Sequence, residues 1–347
     1  MRVNGIDVLR DILYSNKDIG YTVVMHDFFI DRIVRLVISP EVLLSMMKGK
    51  IEAGGGSIRS IEQIEMKGGN GVNLAYAIAM LGARCRLITI ADDYGKGILE
   101  HTFKGLSNVD LIILEGRQGY TLALEFSDSG RVANVMLSDV GDNAYFGADR
   151  LKGLEHMLDS ASCIAVVNWA SNLKGTELTE RVFNTNSALH FLDPADLGYR
   201  GKEFVDAILE GRFRPDVLSI NENEARIIAN ALMLEPLPYN YSMDDVARLC
   251  RDIASTLAIQ VDLHTPIFSA TSDGKDHEGV RAFKVDAMIA TGAGDVWDAA
   301  DILGYLYGMD DHIRLLFANA SAAYYVGNAR VPALDDVLCF IKHMYRE

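Results

Sequence analysis

The segment Thr291-Gly292-Ala293-Gly294-Asp295 is a run of small residues that ends on a carboxylate. It follows an apolar stretch and opens a long helical pattern. Small residues let backbone N–H groups converge at a helix N-terminus, where unpaired donors and the helix dipole favour phosphate oxygens. A carboxylate at that point would accept the proton of an attacking alcohol. The same string also fits a plain turn with an N-capping Asp, so by itself it leaves both interpretations open.

A second glycine-rich segment covers residues 68–75 and reads Gly-Gly-Asn-Gly-Val-Asn-Leu-Ala. It leads into a helix of small residues that ends near Gly82. The glycines permit close approach of the backbone to a polar ligand, and Asn73 can both donate to and accept from vicinal hydroxyls. The spacing does not match Gly-x-Gly-x-x-Gly, which disfavours a nucleotide-dependent dehydrogenase. A tight turn that packs a helix against a sheet is the alternative.

The third segment is Asn221-Glu222-Asn223-Glu224, which follows a predicted strand over residues 217–220. Oxygen ligands at the end of a strand suit Mg²⁺, an ion that usually keeps several waters and bridges phosphates. A plain helix start, with an Asn cap and an early Glu, explains the same residues equally well. The segment alone does not decide between the two.

These segments need elements that bring them together. Short apolar runs alternate with helical patterns along most of the chain, and the runs cover residues 21–25, 84–90, 163–167, 190–192, 217–220 and 266–268. Buried strands separated by helices are typical of a doubly wound, mostly parallel sheet flanked by helices in an α/β protein. Ligands of such sheets bind at the carboxyl ends of the strands.

Two regions interrupt this alternation and predict a small β lid. Residues 57–66 form one half-solvated strand, and residues 120–126 and 132–137 form a hairpin whose turn is Ser127-Asp128-Ser129-Gly130. A helix capped by Ser39, with Pro40 at its first position, should precede the first strand and end before the glycines at 54–56. The lid segments are about 37–67 and 118–140 of a single domain over 1–347. An edge hairpin that does not move is the alternative.

Composition favours small-molecule chemistry. The chain has 347 residues and a formal net charge of -15, which would repel nucleic acid, and no Lys/Arg-rich run offsets it. No stretch of about 18 apolar residues predicts a membrane span. The cysteines show no paired spacing of the disulfide or zinc type and are expected to be buried free thiols in the cytoplasm. They are Cys85, Cys163, Cys250 and Cys339.

In this order the three segments resemble the signatures of the ribokinase-like carbohydrate kinases, also called the phosphofructokinase-B type. The resemblance extends from about residue 21 to the C-terminus and implies a kinase that phosphorylates a hydroxyl of a sugar or nucleoside. It implies that Asp295 is the general base and that the N–H groups of Gly292, Ala293 and Gly294 form an anion hole. Asn221 and Glu224 match the Asn-x-x-Glu motif, which organises Mg²⁺ mostly through water.

The resemblance also implies a ligand site. The residues expected to bind the acceptor are Asp31, Gly69 and Asn73. Those expected near the nucleotide are Ser269, Thr271 and Gly274, where the family has a Thr-x-Gly-x-x-Gly turn, and Asn319, in a helix that borders the base. ATP is the expected donor, with ADP left open, and a homodimer through the lid is a further expectation.

Several positions depart from the family pattern. Ile289 and Ala290 replace an Asp-Thr pair, and Asp301 stands where an apolar residue is usual. Phe29 stands where ribokinase has an Asn toward the sugar, which slightly favours an acceptor with a flat or deoxygenated part. Sugar, sugar acid, inositol and nucleoside all remain open as acceptors. A catalytically silent ligand-binding or regulatory protein on the same scaffold is the alternative function.

Overall fold

The computed structural model describes residues 4–15, 17–128, 131–184 and 187–345. Ser129 and Gly130 of the predicted hairpin turn lie outside these residues. The strands are β1 (Tyr21–His26), β2 (Phe29–Leu36), β3 (Glu62–Gly68), β4 (Arg84–Ala91), β5 (Val109–Glu115), β6 (Gly119–Asp128), β7 (Arg131–Asp139), β8 (Cys163–Val167), β9 (Leu189–Asp193), β10 (Val217–Asn221), β11 (Gln260–His264), β12 (Phe268–Ser272) and β13 (His277–Arg281).

The helices are α1 (Asn4–Leu13), α2 (Pro40–Glu52), α3 (Asn70–Met80), α4 (Asp93–Thr102), α5 (Glu155–Asp159), α6 (Gly175–Phe183), α7 (Gly201–Leu209), α8 (Glu222–Ala231), α9 (Met243–Leu257), α10 (Ala293–Tyr307), α11 (Asp311–Asn328) and α12 (Leu334–Met344). Short 3-10 helices lie at Gly141–Tyr145, Ala148–Leu151, Trp169–Ser171 and Gly198–Arg200.

The large sheet has the strand order β13-β12-β11-β10-β9-β8-β1-β4-β5. From β5 to β11 neighbouring strands are parallel, and only the β11–β12–β13 edge is antiparallel among the described pairs. Its two faces carry separate buried clusters: Val24 points into one, and Val23 and Met25 point into the other. Apolar packing on both faces makes this the doubly wound α/β sheet that the alternating pattern predicted.

A second, small sheet has the order β3-β2-β6-β7. Its strands β3, β6 and β7 overlap the predicted strands at 57–66, 120–126 and 132–137. Strand β2, however, precedes both predicted lid segments, because the chain leaves the large sheet after His26 and enters the small sheet at Phe29. The predicted helix is confirmed as α2, whose cap Ser39 accepts a hydrogen bond from the N–H of Val42.

The sequence pattern missed some strands of the large sheet. Strand β11 alternates apolar residues with Gln260, Asp262 and His264, so it resembles a half-solvated strand although Asp262 is fully buried. The predicted run 266–268 proves to be mostly the turn between β11 and β12. Strands β5 and β13 were also not predicted.

The cysteines are free, and Cys85, Cys163 and Cys250 are buried as expected. Cys339 is exposed, so the expectation was wrong for this residue, which lies on an outer face of α12. Across the described residues, no helix combines the length and apolarity that a membrane crossing needs.

Candidate active site

The segment 291–295 forms the start of α10. Gly292 caps the helix with φ 85°, a left-handed conformation that favours glycine, and having no side chain it leaves the first amides of the helix uncapped. The N–H of Ala293, predicted as part of the anion hole, instead donates to the carbonyl of Ala290 at 3.2 Å. The N–H groups of Gly292, Gly294 and Asp295 have no hydrogen-bond partner within the described residues. The Tyr325 hydroxyl donates to the Thr291 carbonyl at 2.9 Å and fixes the turn from the α11 side.

Asp295 lies in the first turn of α10 and is only 4% exposed. Its two carboxylate oxygens are held by two side-chain amides of α3: Asn70 Nδ2 donates to Oδ1 at 2.9 Å, and Asn73 Nδ2 donates to Oδ2 at 3.0 Å. The second and first glycine-rich segments of the sequence therefore meet through Asn70 and Asn73. The contribution of Asn70 was missed, because nothing in the sequence tells which side chain of the turn points toward Asp295.

A further carboxylate, Asp27, anchors the start of α3. It accepts hydrogen bonds from the N–H groups of Asn70 at 3.0 Å and Gly71 at 2.7 Å, and from Asn168 Nδ2 at 2.8 Å. Gly69 has φ 93°, and an added Cβ would lie 2.9 Å from the Asp27 carbonyl oxygen, so this close approach requires glycine. Asp27 was not predicted, although an acidic residue directly after a buried strand is the signal that could have indicated it.

Asp31 lies on β2 of the small sheet, not on a strand of the large sheet. Asp31 lies close enough to the site that its charge, like that of Asp295, acts on the Lys67 ammonium. Burial raises the pKa of Asp31 to about 6, and the charge of Asp27 acts in the same direction. The structure thus brings Asp31, Gly69, Asn73 and Asp295 into one region.

Several buried carboxylates surround Asp295. Burial, followed by the charge of Asp193 at the end of β9, raises the pKa of Asp295 well above its usual range, and the hydrogen bond from Asn73 opposes this shift. Burial and Asp193 likewise raise the pKa of Glu224 and of Asp298. Such a concentration of buried acids is stabilised by any cation that enters it.

Asn221 and Glu224 form the capping box of α8. Asn221 Oδ1 accepts from the N–H groups of Asn223 at 2.8 Å and Glu224 at 3.1 Å. The Glu224 carboxylate accepts from the Asn221 N–H at 2.8 Å and from Asn221 Nδ2 at 2.7 Å. In the described part of the chain no group of three His, Cys, Asp or Glu side chains has the geometry of a metal site. A carboxylate oxygen can accept more than one hydrogen bond, so Glu224 fits a hydrated Mg²⁺ held through water.

The predicted nucleotide residues of β12 are not all at this edge of the sheet. Strand β12 is antiparallel to β11, so Ser269 pairs with His264 at the carboxyl end of β11, but Thr271 pairs with Asp262 in the middle. Gly274 follows at the opposite end and lies against the backbone of Ser255 in α9. The structure therefore does not bring Thr271 and Gly274 to the site. The loop that does reach it is the turn after β11.

The end of β11 places His264 beside the start of α10. A Cβ added to Gly294 would lie 3.5 Å from the His264 ring, and that ring stacks on Trp297 with centroids 4.8 Å apart. Burial lowers the pKa of His264 to about 4, so the imidazole is neutral. Asn319, the predicted residue near the base, is buried and accepts from Trp297 Nε1 at 2.9 Å. His264 was missed because its strand was missed.

The profile of the pfkB family carbohydrate kinases matches residues 61–331, more than three quarters of the chain. This chain belongs to the pfkB family. No curated protein matches the sequence. The ribokinase of Thermotoga maritima is structurally similar, with a TM-score of 0.70 and 20% identity over 93% of this chain and 98% of that one.

Two further structures have the same fold as this pfkB family chain. The adenosine kinase of Sinorhizobium meliloti has a TM-score of 0.69 and 16% identity, over 93% of this chain and 98% of its own. The ribokinase of Arabidopsis thaliana, solved with ribose and ATP, has a TM-score of 0.69 and 17% identity, over 93% and 99%. The predicted ribokinase-like fold, with a small sheet as lid, is confirmed.

The structure accounts for two departures from the pfkB family pattern. Asp301 forms an ion pair with Arg314 of α11, and Arg314 also donates to Asp262 at 2.9 Å, so the unusual acid is compensated inside the core. Phe29 is 7% exposed and packs against Gly119 of the neighbouring strand β6, which indicates a packing role within the small sheet. For the third departure, the backbone N–H of Ile289 donates to the Val326 carbonyl at 3.3 Å, which attaches the segment before the anion hole to α11.

Proposed function

We propose that this pfkB family chain transfers the terminal phosphate of ATP to a hydroxyl of a sugar or nucleoside, with Asp295 as the general base. The observation that carries the proposal is the arrangement at the start of α10. There a buried carboxylate, held by Asn70 and Asn73, lies next to uncapped backbone N–H groups. A base beside an anion site is the minimum that phosphoryl transfer to an alcohol requires.

In the proposed reaction the acceptor oxygen attacks the terminal phosphorus of ATP. A new O–P bond forms, the bond between phosphorus and the bridging oxygen breaks, ADP leaves, and the hydroxyl proton moves to Asp295. The N–H groups of Gly294 and Asp295, with the dipole of α10, stabilise charge on the phosphoryl oxygens. Gly292 and Ala293 shape this anion hole, and the raised pKa of Asp295 favours proton acceptance.

The acceptor would bind between the small sheet and the start of α3. Asp31, Gly69 and Asn73 are the proposed contacts, because all lie around Asp295 and because carboxylate, backbone and amide groups suit vicinal hydroxyls. The structural relatives are named for ribose and for adenosine as acceptors. Both sugars and nucleosides therefore belong in the first assays.

The nucleotide would lie on the β11 side of α10, near His264, Ser269 and Asn319. Mg²⁺, when bound, would neutralise charge on the phosphates. Glu224 and Asn221 would hold it through water, with the charge of Asp193 adding to the attraction. The cytoplasm is the proposed location, since it supplies ATP and keeps free cysteines reduced.

A homodimer through the small sheet is part of the proposal. On β7, Val135, Met136 and Leu137 are each about half exposed. Helix α2, all of whose residues are described, has no buried residue. Such an apolar surface is typical of an interface. Sedimentation of wild type and Met136→Glu should show a dimer that the variant weakens, and a wild-type monomer at assay concentrations would contradict it.

The test of the function is ADP release across a panel of sugars, sugar acids, inositols and nucleosides with ATP and Mg²⁺, with ADP as an alternative donor. Acceptor-dependent release that Asp295→Asn lowers by about two to four orders of magnitude would support the proposal. Binding of one panel member by calorimetry, with no ADP release above background, would instead identify the catalytically silent ligand-binding protein.

A further inference from the structure

Lys67 is a partly buried lysine next to the last residue of β3 in the small sheet. Its ammonium donates to Asn73 Oδ1 and lies 5.1 Å from the centre of the Tyr76 ring. Lysines are seldom buried without a partner, because desolvation of the ammonium is costly. Lys67 is not among the residues predicted for the site.

The contact with Lys67 determines how the Asn73 amide is oriented. An ammonium only donates, so the amide must present its oxygen to Lys67 and its nitrogen to Asp295. That is the arrangement in the structure, where Asn73 Nδ2 donates to Asp295 Oδ2 at 3.0 Å. Without Lys67 the amide could rotate and place its oxygen against the carboxylate, which would remove one of the two hydrogen bonds that hold Asp295.

The charges around Asp295 show what Lys67 opposes. Asp27 after β1 and Asp193 at the end of β9 disfavour ionisation of Asp295, whereas the Lys67 charge favours it. The Asp295 charge also raises the pKa of Asp298, one helical turn further along α10, and that of the Tyr325 hydroxyl of α11.

The other neighbours of Lys67 and Asp295 complete this environment. Asp31 of β2 also attracts the Lys67 ammonium. The Asn70 and Asn73 amides that hold Asp295 carry no net charge, although the Asn73 hydrogen bond also favours ionisation. Lys67 is thus a cation that offsets the acidic surroundings of Asp295.

We propose that Lys67 is a positioning residue for Asp295, which orients the Asn73 amide and keeps the carboxylate ionised so that it can accept the acceptor's proton. This inference rests on the proposed function. It also makes the base dependent on the small sheet, because Lys67 belongs to β3 and Asp295 to α10.

The role proposed for Lys67 predicts a change in turnover at alkaline pH. Burial lowers the pKa of Lys67 to about 8, although the charges of Asp295 and Asp31 oppose the shift. Turnover should therefore fall as the pH rises through about 8, where the ammonium loses its proton. A guanidinium does not lose its proton in proteins, so Lys67→Arg should remove or displace this alkaline fall.

The experiment measures kcat and acceptor KM from pH 5 to 10 for wild type and variants of Lys67, with the best acceptor of the panel. Lys67→Met should lower kcat near neutral pH by about 10- to 100-fold and move the acidic half of the profile up by about one pH unit, with acceptor KM changed less than about threefold. Lys67→Gln should show the same acidic shift with a smaller loss, because its amide can still donate to Asn73. Lys152→Met, at an exposed lysine outside the small sheet and α2, is the matched control and should behave as wild type.

Two results would overturn the inference. One is an unchanged pH profile in Lys67→Met, or a loss confined to acceptor KM, which would make Lys67 an acceptor-binding residue. The other is an alkaline fall in Lys67→Arg at the same pH as in wild type, and this test can be made even if the Lys67→Met variant does not fold.

The double variant Asp295→Asn/Lys67→Met separates the proposal for Lys67 from the proposal for Asp295 as the base. If Asp295→Asn keeps its turnover, the proposed base is wrong. If Asp295→Asn keeps only a small residual rate and adding Lys67→Met does not lower that rate further, Lys67 acts through the base.

Discussion

The starts of α8 and α10 invite comparison, because both are helix N-termini at the carboxyl edge of the large sheet with an acidic residue in the first turn. At α8 the helix caps itself: Asn221 and Glu224 bind each other and the first amides. At α10 the cap is Gly292, and Asp295 is held by the side chains of another helix. A self-capped start has its donors engaged and serves stability, whereas a start capped by glycine keeps donors for a ligand.

The largest effect is expected from substitution of Asp295 at the start of α10. Asp295→Asn should lower kcat by about two to four orders of magnitude, because a positioned base is lost, and should leave ATP affinity within about threefold. Since burial raises the pKa of Asp295, the variant should be at least as stable as wild type. Steady-state kinetics, calorimetry with ATP and thermal melting test this, and near-full turnover in the variant would remove Asp295 from the mechanism.

The next largest effects are expected for the residues proposed to bind the acceptor. Asp31→Ala should raise acceptor KM by about 10- to 100-fold and spare the KM for ATP, as expected for loss of a buried, charged hydrogen-bond partner. Asn73→Ala should raise acceptor KM and also lower kcat, because the same amide holds Asp295. Kinetics with each substrate varied in turn provide the measurement. Normal acceptor KM in both variants would place the acceptor elsewhere.

Asp31 should also affect how the free energy of unfolding depends on pH. Its pKa is raised to about 6 in the folded protein from 3.8, so its contribution to the free energy of unfolding decreases as the pH rises from about 4 to about 6. Asp31→Asn lacks this charge and should be more stable than wild type by about 2 to 3 kcal/mol at pH 7, with the difference vanishing below about pH 4. Urea denaturation at pH 4 and pH 7 measures it. A gain that does not depend on pH would contradict the assigned cause.

The smallest effects are expected at α8. Asn221→Ala should cost about 1 kcal/mol of stability through loss of the cap, and Glu224→Gln should raise the Mg²⁺ concentration needed for half-maximal rate by about three- to tenfold. Chemical denaturation and a Mg²⁺ titration measure the two. If Glu224→Gln left the Mg²⁺ requirement unchanged, α8 would be a purely structural helix start, which would sharpen the contrast with α10.

The local signals of the sequence were sufficient for much of this protein. The alternation of apolar runs and helices predicted the parallel sheet, and Ser39 with Pro40 predicted α2, because strand burial and helix capping depend on neighbouring residues. The strings at 68–75 and 291–295 could be recognised without knowing their partners, since glycine content and a position before a predicted helix are local features that favour an anion or polar ligand.

What only the tertiary structure decided depends on register and on pairing across long separations in the chain. The antiparallel register of β12 placed Thr271 and Gly274 away from the site, and no local pattern reveals which end of a strand faces a ligand. The placement of Asp31 on the small sheet and the hydrogen bonds from Lys67 through Asn73 to Asp295 likewise join residues of different elements. The sequence by itself therefore predicted an anion site at 291–295 and a ligand-binding segment at 68–75, and the packing of the two sheets determined which side chains surround Asp295.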